Sequence, residues 1–447
     1  MGDRVIIVGG TAAGSKAAAT ARRRNPDLDI LVLQSGADVS YSACGMPYYM
    51  SDEEHVPRKL LVARTPEQFG KDGIDVRIRH KVEGVDPKKG EVEITNLESG
   101  KTWTEGFDHL LLATGAEPIE PPIPVAENAP PVVTLRNLRD MDQIRGLSDQ
   151  YQRVVIVGGG YIGLEMAETF HELGKQVVIV ELAPRLLPNF EPHIAETVQA
   201  HLEGYGVEVH TGTAAAELIP GGVKLESGAE INCDLVLMAV GMRPSTGLAK
   251  DAGVDLGATG AITTDAGMHT NVERIYAAGD CTEVHHFVSG KPIWLPLGDV
   301  ANRQGRVAGE NIAGGKSAFS GVLGTAIFKV FDLAVATTGL SEQQAREAGF
   351  DPASCKVTGI SRARYMPAMR PIDLLLVGDK ASGRILGCQA VGEDAVDKAI
   401  DTIAAGLWGK LTADDLSEID LAYAPPYSPV MSPVQVAAEV LRKKLKS

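Results

Sequence analysis

Cys44 is the residue of this chain best suited to chemistry. It stands in Ser40-Tyr41-Ser42-Ala43-Cys44-Gly45-Met46-Pro47-Tyr48-Tyr49, where Pro47 suits the first turn of a helix. A helix beginning there would leave Cys44 at its N-terminus, where free amides and the dipole favour the thiolate, the form of sulfur that attacks sulfur. The remaining cysteines, Cys233, Cys281, Cys355 and Cys388, are widely spaced and form no CxxC pair, so neither a disulfide framework nor a zinc site is indicated. They are expected to be structural, with Cys281 packing beside Asp280. His285-His286 has no companion ligands at metal spacing, and no metal is expected. A thiolate leaving group needs a proton donor of similar pKa, and a phenol qualifies. Tyr365, Tyr423 and Tyr427 are the candidates.

Two glycine-rich turns carry the other chemistry. Gly158-x-Gly160-Tyr161-Ile162-Gly163 follows the apolar run Val154–Val157 and precedes a helical stretch. Such glycines permit a tight turn, close approach of backbone to a pyrophosphate and close helix–strand packing. Glu181 ends the next strand, and a carboxylate there binds both ribose hydroxyls of NADH while repelling the 2'-phosphate of NADPH, so NADH is the expected donor with NADPH still usable. The N-terminal copy, Gly9-Gly10-Thr11-Ala12-Ala13-Gly14, follows Val5–Val8 and is less regular. Thr11 takes the second glycine position, and Gln34, followed by Ser35, stands where a ribose-binding acid is expected. A neutral amide still donates to and accepts from a hydroxyl, and this copy is assigned to FAD.

The elements that position these residues follow from periodicity. Each turn lies in a βαβ unit: Val5–Val8, a helix to about Arg24 and Ile30–Leu33; then Val154–Val157, a helix to about Leu173 and Val177–Val180. Leu110-Leu111-Leu112-Ala113-Thr114-Gly115 reads as a buried strand ending in a Gly turn, and the Pro-rich Glu117–Pro131 as a linker. Further buried strands are expected at Asp234–Val240 and Ile275–Ala278. From about 321 short strands and one amphipathic helix, Glu393–Leu407, mark a separate unit. The fold class is therefore α/β, with two Rossmann-like dinucleotide-binding domains for FAD and NADH and a C-terminal α+β domain.

The 447 residues, 44% of them hydrophobic, suffice for several packed domains. A net charge of -15 argues against a nucleic-acid or anionic membrane partner. No apolar run approaches a membrane span and no signal peptide opens the chain, so a cytoplasmic protein is expected.

Together with Gly241-Met242-Arg243-Pro244, Ala277-Ala278-Gly279-Asp280 and Tyr423-Ala424-Pro425-Pro426-Tyr427-Ser428, these segments resemble the pyridine nucleotide-disulfide oxidoreductase family over the whole chain. The match looks closest to its single-cysteine branch of coenzyme A disulfide reductases, persulfide reductases, NADH oxidases and NADH peroxidases. The resemblance implies an FAD domain over 1–115 and 242–320, an NAD(P)H domain over 116–241 and a dimerisation domain over 321–447. It implies FAD contacts from Ser42, Thr114, Gly115, Gly279 and Asp280 besides the first turn, a Gly241 contact to NADH, and Tyr161 as the cover of the nicotinamide pocket. It also implies a homodimer in which the Tyr423–Tyr427 loop completes the partner's active site.

Disulfide-using members carry a second cysteine about five residues after the first, where this chain has Tyr49. Cys44 is therefore expected to cycle alone, through a mixed disulfide, persulfide or sulfenic acid. Peroxide-reducing members place a histidine in the first turn, where this chain has Ala12. A small disulfide or persulfide, coenzyme A among them, is the expected substrate, with Lys16, Arg22 and Arg23 available for its phosphates. The alternatives are an NADH oxidase or peroxidase, and a flavin electron-transfer reductase for a protein partner.

Overall fold

The computed structural model describes residues 2–446. Two parallel five-stranded sheets repeat one plan. The first runs in the order Ile275–Ala277, His109–Leu112, Arg4–Val8, Asp29–Gln34, Ile74–Ile78, and the second Glu208–Thr211, Gln176–Glu181, Arg153–Val157, Leu235–Met238, Val132–Val133. Their central strands, Arg-Val-Ile-Ile-Val and Arg-Val-Val-Ile-Val, are buried on both faces after the first residue. Unbroken runs of branched aliphatics suit such strands, because helices cover both sides of a parallel sheet. The chain leaves the first sheet after Leu112 and returns beside itself, Ala116–Pro118 pairing antiparallel with Met242–Pro244.

The helix Ala13–Arg24 packs through Ala13, Ala17, Ala18 and Ala21 and ends in Arg22-Arg23-Arg24, where basic side chains suit the C-terminal dipole. Its small face is needed because the helix Gly298–Ile312 crosses it in backbone contact. A Cβ on Gly305 would lie 2.3 Å from the Ala13 carbonyl oxygen, and one on Gly309 2.4 Å from that of Ala17. The second helix in turn carries Gln304, whose Oε1 accepts from the Gly279 amide at 2.8 Å. Close packing of two helices thus sets the turn before Asp280.

The C-terminal unit is an antiparallel sheet in the order Ala326–Val330, Leu333–Gly339, Ile385–Gly392, Pro371–Asp379, Pro352–Ile360. The expected amphipathic helix is present at Val396–Trp408. Three more, Glu342–Glu347, Ala413–Glu418 and Pro433–Leu445, were not anticipated. Each is opened by a capping box, with Ser341, Thr412 or Ser432 bonded reciprocally to the third helical residue. That signal is local and does not depend on a long apolar period. Among the described residues no helix is long and apolar enough to cross a membrane.

The helix crossing generates a prediction. Gly309→Val places a side chain against the Ala17 carbonyl, and overpacking of this kind typically costs about 1–3 kcal/mol. The thermal midpoint should fall and FAD should be released more readily during gel filtration; an unchanged midpoint and flavin content would show that the two helices separate freely.

Candidate active site

Both turns are shaped by what cannot fit in them. Gly9 has φ +100° and a Cβ on it would lie 2.1 Å from the Ala113 carbonyl oxygen, while Gly158 has φ +114° with the Ala239 oxygen at 2.3 Å. A Cβ on Gly14 or Gly163 would strike the carbonyl oxygen of Gly9 or Gly158 at 1.8 and 2.1 Å. The first and third glycines of both copies are therefore obligatory. Over Gly160, by contrast, a Cβ would meet nothing within 4 Å, which leaves space for a ligand's phosphates. The helices that follow, Ala13–Arg24 and Tyr161–Glu172, have no side-chain cap and no acidic residue in the first turn. Their first N–H groups are open to an anion.

The ends of the second strands are matched in the same way. Gln34 Oε1 accepts from the Gly10 amide at 2.8 Å; Glu181 Oε2 accepts from Gly159 at 2.6 Å and Oε1 from Ala183 at 2.7 Å. The Gln34 carbonyl being engaged, its amide group is left to donate to a ribose hydroxyl, whereas Glu181 presents acceptors only. Thr11, at the irregular second position, is hydrogen-bonded to the Tyr41 phenol. These donor and acceptor sets fit two dinucleotides.

Between the turns, Thr114 donates to the Ser245 carbonyl at 2.6 Å, and Gly115 adopts φ +73°. Trp294 donates to the Asp280 carbonyl at 2.7 Å. Burial pushes its carboxyl up against the opposing Arg136 guanidinium, 3.4 Å away. Arg136 also donates to the Ala116 carbonyl at 2.7 Å. It was not singled out from the sequence, because nothing in the residues around it distinguishes a cation that pairs with a carboxylate 144 positions further along the chain.

Cys44 lies in the one-turn 3-10 segment Ala43–Gly45, and the helix Met46–Ser51 follows with Pro47 in its first turn. The expected placement before a helix N-terminus holds, but its expected electrostatic effect does not. Crowding by protein pushes the Cys44 thiol up, and the carboxylates of Glu165, Asp280 and Asp299 push it further. Cys44 is nevertheless exposed on its open side, while Cys233, Cys281, Cys355 and Cys388 are buried. Cys281 donates to the carbonyls of Leu112 and Ala278 at 3.5 Å, and burial raises Cys233 to about 11. Those four thiols are inert by environment.

Two neighbours of Cys44 escaped the sequence reading. Burial, with Glu168 nearby, raises Glu165 to about 7, and its charge is felt by both Cys44 and Tyr48. Glu165 lies two residues beyond Gly163, and its spacing from Tyr161, one helical turn, was the available signal. Tyr48, four residues past Cys44, is exposed on one side, and its phenol is pushed up by the protein packed around it and by Glu165.

The expected phosphate ligands are divided. Arg22 is committed to backbone, donating to the carbonyl of Gly73 at 2.7 Å and to that of Pro26. Arg23 is exposed and touches Thr20 at 3.2 Å, and Lys16 is partly buried one turn into the same helix. Tyr365, Tyr423 and Tyr427 are 74%, 51% and 72% exposed, on loops joined by the Ala363 amide donating to the Pro425 carbonyl at 3.1 Å. His286 is buried with Nε2 3.2 Å from the Leu323 carbonyl.

The Glu165 environment predicts a pH signature. A carboxyl raised to about 7 in the fold contributes fully to stability below its unfolded value, and that contribution is lost as pH rises through about 7. Glu165→Gln should abolish this loss and should move the pH midpoint of Cys44 alkylation in flavin-free protein downward. An alkylation profile identical to wild type would remove Glu165 from the Cys44 environment.

Comparison with known proteins agrees with this geometry. Residues 3–305 match the family model "Pyridine nucleotide-disulphide oxidoreductase" and residues 325–434 its dimerisation domain. The chain is 38% identical over 453 residues, 99% of each chain, to a protein of Pyrococcus horikoshii named NAD(P)H coenzyme A polysulfide/persulfide reductase. It superposes with TM-score 0.97 and 35% identity on the structure of reduced Bacillus anthracis CoADR-RHD, covering 100% of this chain and 81% of that one. The NAD-dependent persulfide reductase of A. fulgidus follows with TM-score 0.95 and 38% identity, over 99% and 84%. The chain therefore belongs to the pyridine nucleotide-disulphide oxidoreductase family, as a flavoprotein enzyme that uses FAD and NAD(P)H.

Proposed function

We propose that this enzyme reduces coenzyme A disulfide, coenzyme A persulfide or polysulfide with electrons from NADH, using Cys44 alone as its redox thiol. The single observation that carries it is the environment of the five cysteines: one is exposed, beside Asp280 and the start of the second nucleotide helix, and four are buried. Relatives named for coenzyme A persulfide and disulfide chemistry support the substrate class. Ala12, in place of the histidine expected of peroxide-reducing members, speaks against oxygen or peroxide as the natural acceptor.

FAD would lie on the first cradle, held by Gly9, Thr11, Ala12, Ala13 and Gly14, with Gln34 and Ser35 at its adenosine ribose and Ser42, Thr114, Gly115, Gly279 and Asp280 along the rest. NADH would lie on Gly158, Gly160, Ile162 and Gly163, with Glu181 at the ribose, Gly241 beside it and Tyr161 over the nicotinamide pocket. The corresponding domains are 1–115 with 242–320, 116–241, and 321–447. Bound FAD supplies hydride acceptance from NADH and an electron pair for the sulfur chemistry.

Cys44 attacks one substrate sulfur; a bond forms between Sγ and that sulfur, the substrate S–S bond breaks, and the departing thiolate takes a proton. Tyr423 of the partner subunit donates it, with Tyr365 and Tyr427 lining the same loops. The Cys44–substrate disulfide is then cleaved by the electron pair that NADH supplies through the bound flavin, which with one proton releases the second thiol and returns Cys44 to its thiolate. Lys16 and Arg23 bind the substrate phosphates, since Arg22 already serves two carbonyls. The enzyme works as a cytoplasmic homodimer.

Three outcomes test this. Cys44→Ser should preserve anaerobic flavin reduction by NADH but cut turnover with coenzyme A disulfide by at least roughly a thousandfold, as removal of a covalent nucleophile does; equal modest losses in both half-reactions would make Cys44 a packing residue. Glu181→Ala should raise the NADH Michaelis constant and narrow the advantage over NADPH, lost hydrogen bonds typically costing about 1–3 kcal/mol, and an unaltered preference would place selection elsewhere. Mixing Cys44→Ser subunits with Tyr423→Phe subunits should restore one working site per heterodimer, and absence of rescue would rule out a site shared between subunits.

A further inference from the structure

The start of the second nucleotide helix is held by groups far away in the chain. The Tyr161 ring centre lies 4.7 Å from that of Phe328 at an interplanar angle of 33°, and 6.2 Å from that of Phe190 at 75°. Phe190 and Phe328 are themselves 6.2 Å apart at 83°, so the three rings close a triangle. Both phenylalanines are buried, and burial pushes the Tyr161 phenol up to about 12. Phe328 belongs to the strand Ala326–Val330 of the C-terminal sheet, and the hairpin it forms with Leu333–Gly339 grips the same helix a second time. Glu168, buried, accepts from Lys329 Nζ and, at 2.7 Å, from the Phe331 amide. Tyr161 and Glu168 are seven positions apart and share one face of the helix.

We propose that Phe328 is a positioning residue for the hydride-transfer site: with Phe190 it seats the Tyr161 ring in the closed position, while the Glu168 clamp fixes the helix so that the ring alone turns to admit nicotinamide. The inference rests on Tyr161 being the cover of the nicotinamide pocket. Neither phenylalanine lies in a glycine-rich turn, and Phe328 comes from the C-terminal unit, so the resting state of the NADH pocket is set in part from outside the nucleotide-binding fold. Physically, tilted aromatic packing favours the seated ring. A pocket open only part of the time binds NADH with an affinity reduced by that fraction. Removing the seat raises the open fraction and tightens apparent binding. Hydride transfer follows ring movement and is much less affected.

Anaerobic stopped-flow reduction of the FAD-loaded enzyme by NADH reads both quantities. Phe328→Ala should lower the NADH concentration for half-maximal flavin reduction by about 2- to 10-fold, with the limiting rate moving far less. A general loosening of the fold would raise that concentration, so the sign separates the two. Phe328→Leu keeps apolar volume without a ring face and should shift it in the same direction by a smaller factor; it carries the test if the alanine variant does not fold. Tyr161→Ala should also lower it, and adding Phe328→Ala to that variant should do nothing further. If Tyr161→Ala lowers the concentration while both Phe328 variants leave it unchanged or raise it, the seat is refuted. If Tyr161→Ala leaves it unchanged, the cover role of Tyr161 fails first and the seat with it.

Discussion

The architecture depends on contact between a turn and the strand beside it that leaves no room for a Cβ. At Gly9 the obstruction is the Ala113 carbonyl and at Gly158 the Ala239 carbonyl, each little more than 2 Å from where a side chain would begin. Because the turn presses on its neighbour, the following helix starts at the carboxyl end of the central strand with its amides uncapped. An anionic ligand is what such amides lack. The same compression recurs where Gly305 and Gly309 meet Ala13 and Ala17, and through Gln304 it reaches the turn before Asp280.

Around that frame the charges are arranged against the resting thiol. Burial and three carboxylates disfavour the Cys44 thiolate, and Arg136 is paired with one of them, Asp280, at 3.4 Å. The charge environment of Cys44 is therefore set by segments distant from it in the chain and not by its own sequence context alone.

Much of this was legible in the chain. The helix Ala13–Arg24 ends where expected, and the strands Arg4–Val8, Asp29–Gln34, Arg153–Val157 and Gln176–Glu181 enclose the expected ranges and run a residue past them at one or both ends, since each rests on local periodicity and a turn that only glycine can make. The placement of Cys44 just before a helix was legible from its flanking Pro47. Its electrostatics were not, because Glu165, Asp280 and Asp299 come from three distant segments. Arg22 looked free for a ligand, and only the fold reveals that the carbonyls of Pro26 and Gly73 claim it. The short capped helices of the C-terminal unit were missed because a search for apolar period overlooks a capping box standing alone.

The central claim is that one sulfur atom, Cys44 Sγ, carries the substrate between flavin and product. Anaerobic mixing of NADH-reduced enzyme with a single equivalent of coenzyme A disulfide, followed by acid quench and peptide mass spectrometry, tests it directly. A coenzyme A adduct on the Cys44 peptide, formed and then consumed within one turnover while the other four cysteines stay unmodified, is the predicted result. Complete turnover with no adduct on Cys44, or with the adduct on another cysteine, would contradict it.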